Sequence, residues 1–197
     1  MPKTALDLQN LITALNRMAQ GEGNEAEVSK TSLLLKQAKI DLGYRRPIAA
    51  ARERADRSGV PASAIELPDG TIITAETSAL LGPSAALILN AVKHLAGIDH
   101  QVKLIPQHMI EPIQHTKTSY LRSNNPRLHT DEVLVALSIC AVSDPTADIA
   151  MQQLEKLAHC EAHSSVILSH VDENVFKKLE VNITFEPRFQ TKKLFHR

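Results

Sequence analysis

Side chains able to do acid/base or metal chemistry gather at two places in this 197-residue sequence. His129, Asp131 and Glu132 follow the run Asn125-Pro126-Arg127-Leu128, and Cys160, Glu161 and His163 stand ahead of Ser164 and Ser165. Imidazole, thiolate and carboxylate are all zinc ligands, and a catalytic zinc takes three of them plus water. Cys160 and His163 are three apart, close enough to act as a nucleophile and its base if the chain turns there. A carboxylate beside an imidazole can orient it for proton transfer. The spacing matches no CxxC, HExxH or HxxEH pattern, so a hydrogen-bonded structural cluster is the remaining reading. These six residues are the catalytic candidates. Thr77, Ser78, Arg127, Ser164 and Ser165 are the ligand-binding candidates. Thr77 and Ser78 precede a helix as a phosphate-binding loop would, but no GxxxxGK is present and hydroxyls there also serve as caps. The helix starting at Thr130 offers free N–H groups and a positive dipole end. Asp131 and Glu132 already fill that field with negative charge, which suits a cation or a proton acceptor better than a phosphate.

The elements that must position these groups follow from periodicity. Apolar residues at helical spacing predict helices over 4–20, 29–41 and 47–58, an all-helical subdomain spanning 1–58. Arg45, Arg46, Arg52, Arg54 and Arg57 fall on or near the third, and Glu53 and Asp56 make a solvated face the plainer reading. From 59 to 189 the pattern becomes α/β. Pro68-Asp69-Gly70 between two β-type runs predicts a hairpin over 65–74. A helix follows over 83–96, apolar nearly all round and therefore central. Strands are predicted at 101–105, 165–169 and 181–185, and helices at 106–120, 130–143, 144–157 and 172–179. Thr130 and Asp172 are the expected caps. The two helices between 130 and 157 run out and back over roughly 20 Å each, at 1.5 Å per residue. That return would bring the His129 end and the Cys160–Ser165 end, read as a turn, into one neighbourhood. Residues 190–197 read as a basic tail.

Composition bounds the class. A 43% apolar share with 22% charged residues is that of an ordinary globular chain, large enough for one domain with an appendage. Lys plus Arg equals Asp plus Glu at 22 each, so bulk charge attracts neither nucleic acid nor anionic lipid. Four Phe, two Tyr and no Trp leave little for base-stacking platforms. Two cysteines, no signal-peptide pattern at the start and no membrane-length apolar run point to the cytoplasm.

Several stretches resemble an uncharacterised, mainly bacterial family catalogued as domain of unknown function eighteen forty-six. They are Ile65-Glu66-Leu67-Pro68-Asp69-Gly70-Thr71, Thr77-Ser78 through Ala85-Ala86-Leu87-Ile88-Leu89-Asn90-Ala91, Asn125 through Leu134, Cys160-Glu161-Ala162-His163-Ser164-Ser165 and Val171-Asp172-Glu173-Asn174. The resemblance covers nearly the whole chain and implies the C-terminal part of longer proteins: a helical subdomain followed by a three-layer α/β subdomain. Some members carry the label of ATP-dependent zinc protease, and this sequence has neither HExxH nor P-loop. A Gly-Lys pair often precedes the Thr-Ser in the family; Ala75-Glu76 stands here. The layer topology is similar to that of cytidine deaminases, whose H-x-E and P-C-x-x-C are both missing.

Two functions from different classes are consistent with this reading. One is a small-ligand, nucleotide or metal-binding domain, catalytic or not, with its site at His129–Glu132 and Cys160–Ser165. The other is a non-catalytic assembly module, forming a homo-oligomer or docking to the family's N-terminal portion. Cofactor and metal are left unassigned by the sequence.

Overall fold

Leu67-Pro68-Asp69-Gly70 reverses the chain as predicted. The Gly70 N–H donates to the Leu67 carbonyl at 2.9 Å, with Gly70 at φ 81°, and the Thr71 N–H donates to the Asp69 carboxylate. This turn joins β1 (Ala62–Glu66) and β2 (Ile72–Glu76). The computed structural model describes residues 45–186, 188 and 189, with positions 14, 25, 26, 29, 30 and 33 besides. The predicted helices over 4–20 and 29–41 lie almost wholly outside the described residues, and the 190–197 tail lies wholly outside them.

The fold is α/β: helices packed on a four-stranded mixed sheet of order β2-β1-β3-β4. β3 (Glu161–Ser164) pairs antiparallel with β1, and β4 (Asn182–Phe185) pairs parallel with β3. β2, β3 and β4 therefore share one direction. Register gives the sheet two unlike faces, because directly paired residues point the same way. Ile65, Ala75 and Ala162 face the apolar core. Ala64, His163 and Thr184 share the other face.

Helix α1 (Arg46–Ser58) covers that second face. Its arginines and Arg45 at its cap meet one glutamate at or just past an end of each strand: Arg45 pairs with Glu161, Arg46 with Glu66, Arg52 with Glu186 and Arg54 with Glu76. Of the five arginines, four thus pair with carboxylates at the sheet's ends, while Arg46, Arg52 and Arg57 stay exposed with Glu53 and Asp56, as the solvated-face reading expects, and Arg45 is buried. On the core face lies α2 (Pro83–Leu95), opened by Pro83 at its first turn. Leu87 and Val92 are completely buried, as the all-round apolar pattern requires. α3 (Gln107–His115) runs into a π-helical turn over Thr116–Tyr120. Then come α4 (Thr130–Ala141), α5 (Pro145–Met151) and α6 (His170–Lys178).

Four details correct the sequence reading. The 101–105 run is irregular, not a strand; among the described residues no strand pairs with it, and Lys93 Nζ donates to the carbonyls of His100 and Val102 at 2.8 and 3.3 Å. The strand expected at 165–169 lies at Glu161–Ser164 instead. Its polar residues are satisfied from the α1 side, so they need no turn, while Val166 and Leu168 pack in the loop beyond. The 144–157 helix breaks after Met151 and resumes as a 3-10 turn over Leu154–Leu157. Finally, Ser169 caps α6 and accepts from the Asp172 N–H, while His129 occupies the cap position of α4.

Candidate active site at the carboxyl end of the sheet

In open α/β sheets, ligands bind outside the carboxyl ends of strands, where loops lead into helix N-termini. Here the chain leaves β2 at Glu76 and enters α2 at Pro83, and leaves β3 at Ser164 and enters α6 at His170. The loop before α4 joins them. The Leu128 N–H donates to the Leu80 carbonyl, the Gly82 N–H to the Leu128 carbonyl at 3.3 Å, and Arg127 Nε to the Ser78 carbonyl at 2.7 Å. Three helix starts thus meet at one end of the sheet.

His129 sits among them with its side chain 21% exposed. Its Nδ1 lies 3.2 Å from Asp172 Oδ2 and 3.3 Å from Ser169 Oγ, and Nε2 lies 3.4 Å from Asn125 Nδ2. Asp172 is fully engaged. It accepts from the Thr130 N–H and hydroxyl, each at 2.9 Å, and from Ser169 Oγ at 2.8 Å. This carboxylate therefore serves the first N–H of α4 from a different helix. The hydrogen bond to Asp172 raises the His129 pKa above its ordinary value against the opposing effect of burial. Burial pushes Asp172 up, but the His129 hydrogen bond and charge and the Thr130 and Ser169 donors bring it below the usual carboxylate range.

A second set locks the loop. Lys117, 6% exposed on the π-helical turn, donates to the Arg127 carbonyl at 2.6 Å and to Glu132 Oε2 at 2.7 Å. The same oxygen accepts from the His129 N–H at 2.8 Å. π-Turns in helices recur at functional sites. Asp131 is exposed and accepts only from the Glu132 N–H among the contacts described.

The Cys160–Ser165 candidates are strung along β3 instead of folded into a turn. Glu161 and Ser164 stand at opposite ends of the strand, about 10 Å apart at ~3.3 Å per residue. Cys160 and Glu161 are at the amino end. The buried Cys160 thiol faces the Lys156 carbonyl, and burial raises its pKa, which disfavours the thiolate a nucleophile needs. Glu161 is engaged by Arg45 and by Asn182 Nδ2. His163 is 1% exposed on the α1 face. Burial lowers its pKa, so the imidazole is neutral. Nε2–H then donates to Glu186 at 3.3 Å, and Nδ1 accepts from the Thr184 hydroxyl at 2.8 Å. Glu186, held by His163 and by Arg52, has its pKa lowered to about 2. Ser164 and Ser165 reach the carboxyl end; Ser165 Oγ accepts from the Ala62 N–H at 2.9 Å.

His129, Glu132, Arg127 and Ser78 are thus tied into one polar network, with Thr77 beside Ser78 and bonded to the Pro61 carbonyl at 3.0 Å. His129 and His163 share no hydrogen-bond partner among the described residues. No three His, Cys, Asp or Glu side chains among those residues come together as a metal-binding set. Sequence reasoning treated Asp172 as a cap only and passed over Ser169 and Lys117. The available signal was Ser169-His170-Val171-Asp172, whose S-x-x-D spacing fixes a helix start and presents a carboxylate there.

Residues 43–195 match the family described as "Domain of unknown function DUF1846, C-terminal". The chain belongs to that family. It is 48% identical over 169 residues to a UPF0371 protein of Corynebacterium urealyticum, covering 86% of this chain and 34% of that protein. A UPF0371 protein of Corynebacterium diphtheriae is 43% identical over 190 residues, with 96% and 38% covered. One from Streptococcus pyogenes serotype M3 is 45% identical over 173 residues, with 88% and 35% covered. The chain thus spans little more than a third of the length of these DUF1846 relatives. Among its described residues no helix is long and apolar enough to cross a membrane.

Proposed function

We propose that this DUF1846 domain binds a small phosphorylated ligand at the carboxyl end of its sheet, with His129 and Asp172 as the proton-handling pair. The observation that carries the reading is the His129 imidazole, partly exposed and held at Nδ1 by the partly buried Asp172 carboxylate, at the meeting of three helix starts. The α4 and α6 starts are already occupied by Asp172 and Ser169. No described side chain caps α2, so its positive end is the one an anion would meet. Arg127, Ser78 and Thr77 border it, and Ser164 and Ser165 close the sheet end. In this reading Glu132 and Lys117 position the loop, and the ligand touches His129 and Arg127.

Titration with inorganic phosphate and with nucleoside monophosphates, followed by thermal shift and by the His129 ring signals in NMR, tests the proposal. Binding should raise Tm and move those signals. His129→Gln should abolish the Tm increase while the domain still unfolds cooperatively. An undiminished increase in that variant assigns His129 to architecture.

A second reading, assembly with a second copy, rests on the outer face of α4. Val135, Ile139 and Val142 are 61%, 53% and 87% exposed at helical spacing, and no charged residue lies between 133 and 143. Such a seam is self-complementary under a two-fold axis. Light scattering should report a dimer that Ile139→Glu returns to monomer; a wild-type monomer at every concentration removes this reading.

A further inference from the structure

Two clefts that neither His129 nor Arg127 lines meet along α2. One, of about 480 Å³, runs along the open edge of β2 under Arg54, Lys93, His94 and His100. The other, of about 320 Å³, is walled by Leu80, Leu81, Leu89, Leu104, Ile105 and Ile110. Ala86, Asn90, Lys93 and His100 line both. Each volume, in round terms, is in the range of small-molecule sites, which run from about 300 to 1,000 Å³. One half of the combined groove carries Arg54, Glu76, His94 and the shared Lys93 and His100, and the other is mainly aliphatic, with Gln101, Lys103 and Gln107 also lining it.

The charge at the junction has a sign. Arg54 and Glu76 neutralise one another at 2.8 Å. Lys93 is 9% exposed, and its hydrogen bonds go to two main-chain carbonyls, those of His100 and Val102. An ammonium has three donors, so one remains for a further acceptor. Asp99 is the acidic group whose charge it feels, and burial still depresses the Lys93 pKa. His94, 44% exposed at its side chain, faces Asp69 only at 3.8 Å. A buried cation bonded to neutral oxygens, flanked by two imidazoles, is complementary to one anionic group. The aliphatic half beside it is complementary to an alkyl or similar apolar body.

We propose that this groove is a binding site for a small amphipathic anion, with a carboxylate at Lys93, His94 and His100 and an apolar tail along Leu80, Leu89, Leu104 and Ile110. The bland account of Lys93 is that it only ties down the 98–102 loop. That account explains its two bonds and leaves unexplained why an aliphatic trough opens directly beside a buried charge.

Decanoate is the probe, compared with methyl decanoate, which lacks the charge, and butyrate, which lacks the tail. Calorimetry gives the affinities and amide chemical-shift mapping gives the place. Decanoate should bind with shifts centred on α2 and residues 98–105, with the ester and butyrate each about tenfold weaker or worse. Lys93→Met should weaken decanoate by about tenfold or more. Should that variant not fold, His94→Gln, at an exposed position, and Ala86→Leu, which narrows the junction, carry the same test. Absence of decanoate binding overturns the proposal. So do equal affinity for acid and ester, wild-type affinity in the folded variants, or shifts confined to the surroundings of His129.

Discussion

Asp172→Ala is expected to destabilise the domain by about 1–3 kcal/mol, the range for leaving the donors of a partly buried network without their acceptor. Four donors lose their acceptor at once: the Thr130 N–H and hydroxyl, Ser169 Oγ and the His129 ring. The loss also ungrips α4 from α6, because Asp172 crosses between their starts. Urea denaturation followed by circular dichroism measures it, with the slope unchanged if the native fold persists. The pH dependence has a definite sign. His129 has a folded pKa raised above its ordinary 6.5, so its contribution is complete below that value and fades as pH rises through the folded pKa. Asp172 is lowered below its ordinary 3.8, so its contribution is present above that value and fades as pH falls through the folded pKa. The difference between wild type and Asp172→Ala should accordingly be largest between those two values. A loss below about 1 kcal/mol at pH 5 would mean that water replaces the carboxylate at little cost.

Leu87→Ala should cost about 2–5 kcal/mol, the span measured for large-to-small changes at fully buried sites. Leu87 is completely buried in α2, the helix that the core assembles around, and Ile65, Ala75 and Ala162 of the sheet belong to the same cluster. Such a side chain has no route to relax toward solvent, so the vacated volume stays largely empty. Chemical denaturation decides it: a change under half of ~1 kcal/mol would show that α2 is peripheral. For a domain of this size each kcal/mol lowers Tm by about 2–4 °C, so a thermal scan gives an independent check.

What the sequence made legible follows from how local each signal is. The hairpin was readable because Pro68, Asp69 and Gly70 fix its turn within a few residues. α2 was readable because a helix apolar on every side has nowhere to go except the core. β3 was misplaced for the opposite reason. Glu161 and His163 look like solvent or site residues, yet their partners Arg45, Thr184 and Glu186 come from elsewhere in the chain, and no local pattern announces them. The 101–105 run has strand-like composition, but no described strand pairs with it. At the candidate site, the loop from Asn125 to Glu132 was found by residue type. The carboxylate that holds the His129 ring was not singled out, because Asp172 reads equally well as an ordinary helix-start residue.

The pairing of α1 with the sheet has a consequence for how the strands find their alignment. The three pairs whose arginines are partly or well exposed, those of Arg46, Arg52 and Arg54, are worth about 0–1 kcal/mol each and add little to the depth of the native well. The geometry of the set is another matter. Glu66, Glu76, Glu161 and Glu186 lie at or just past the ends of four different strands, and one helix with its cap residue Arg45 pairs with them all. A slip of one residue in β4, at the margin of the sheet, would turn Glu186 to the opposite face. Arg52 and His163 would then both lose their acceptor. The helix thus acts as a gauge laid across the sheet, one that closes only on the correctly threaded arrangement and leaves near-misses with buried charge exposed as errors.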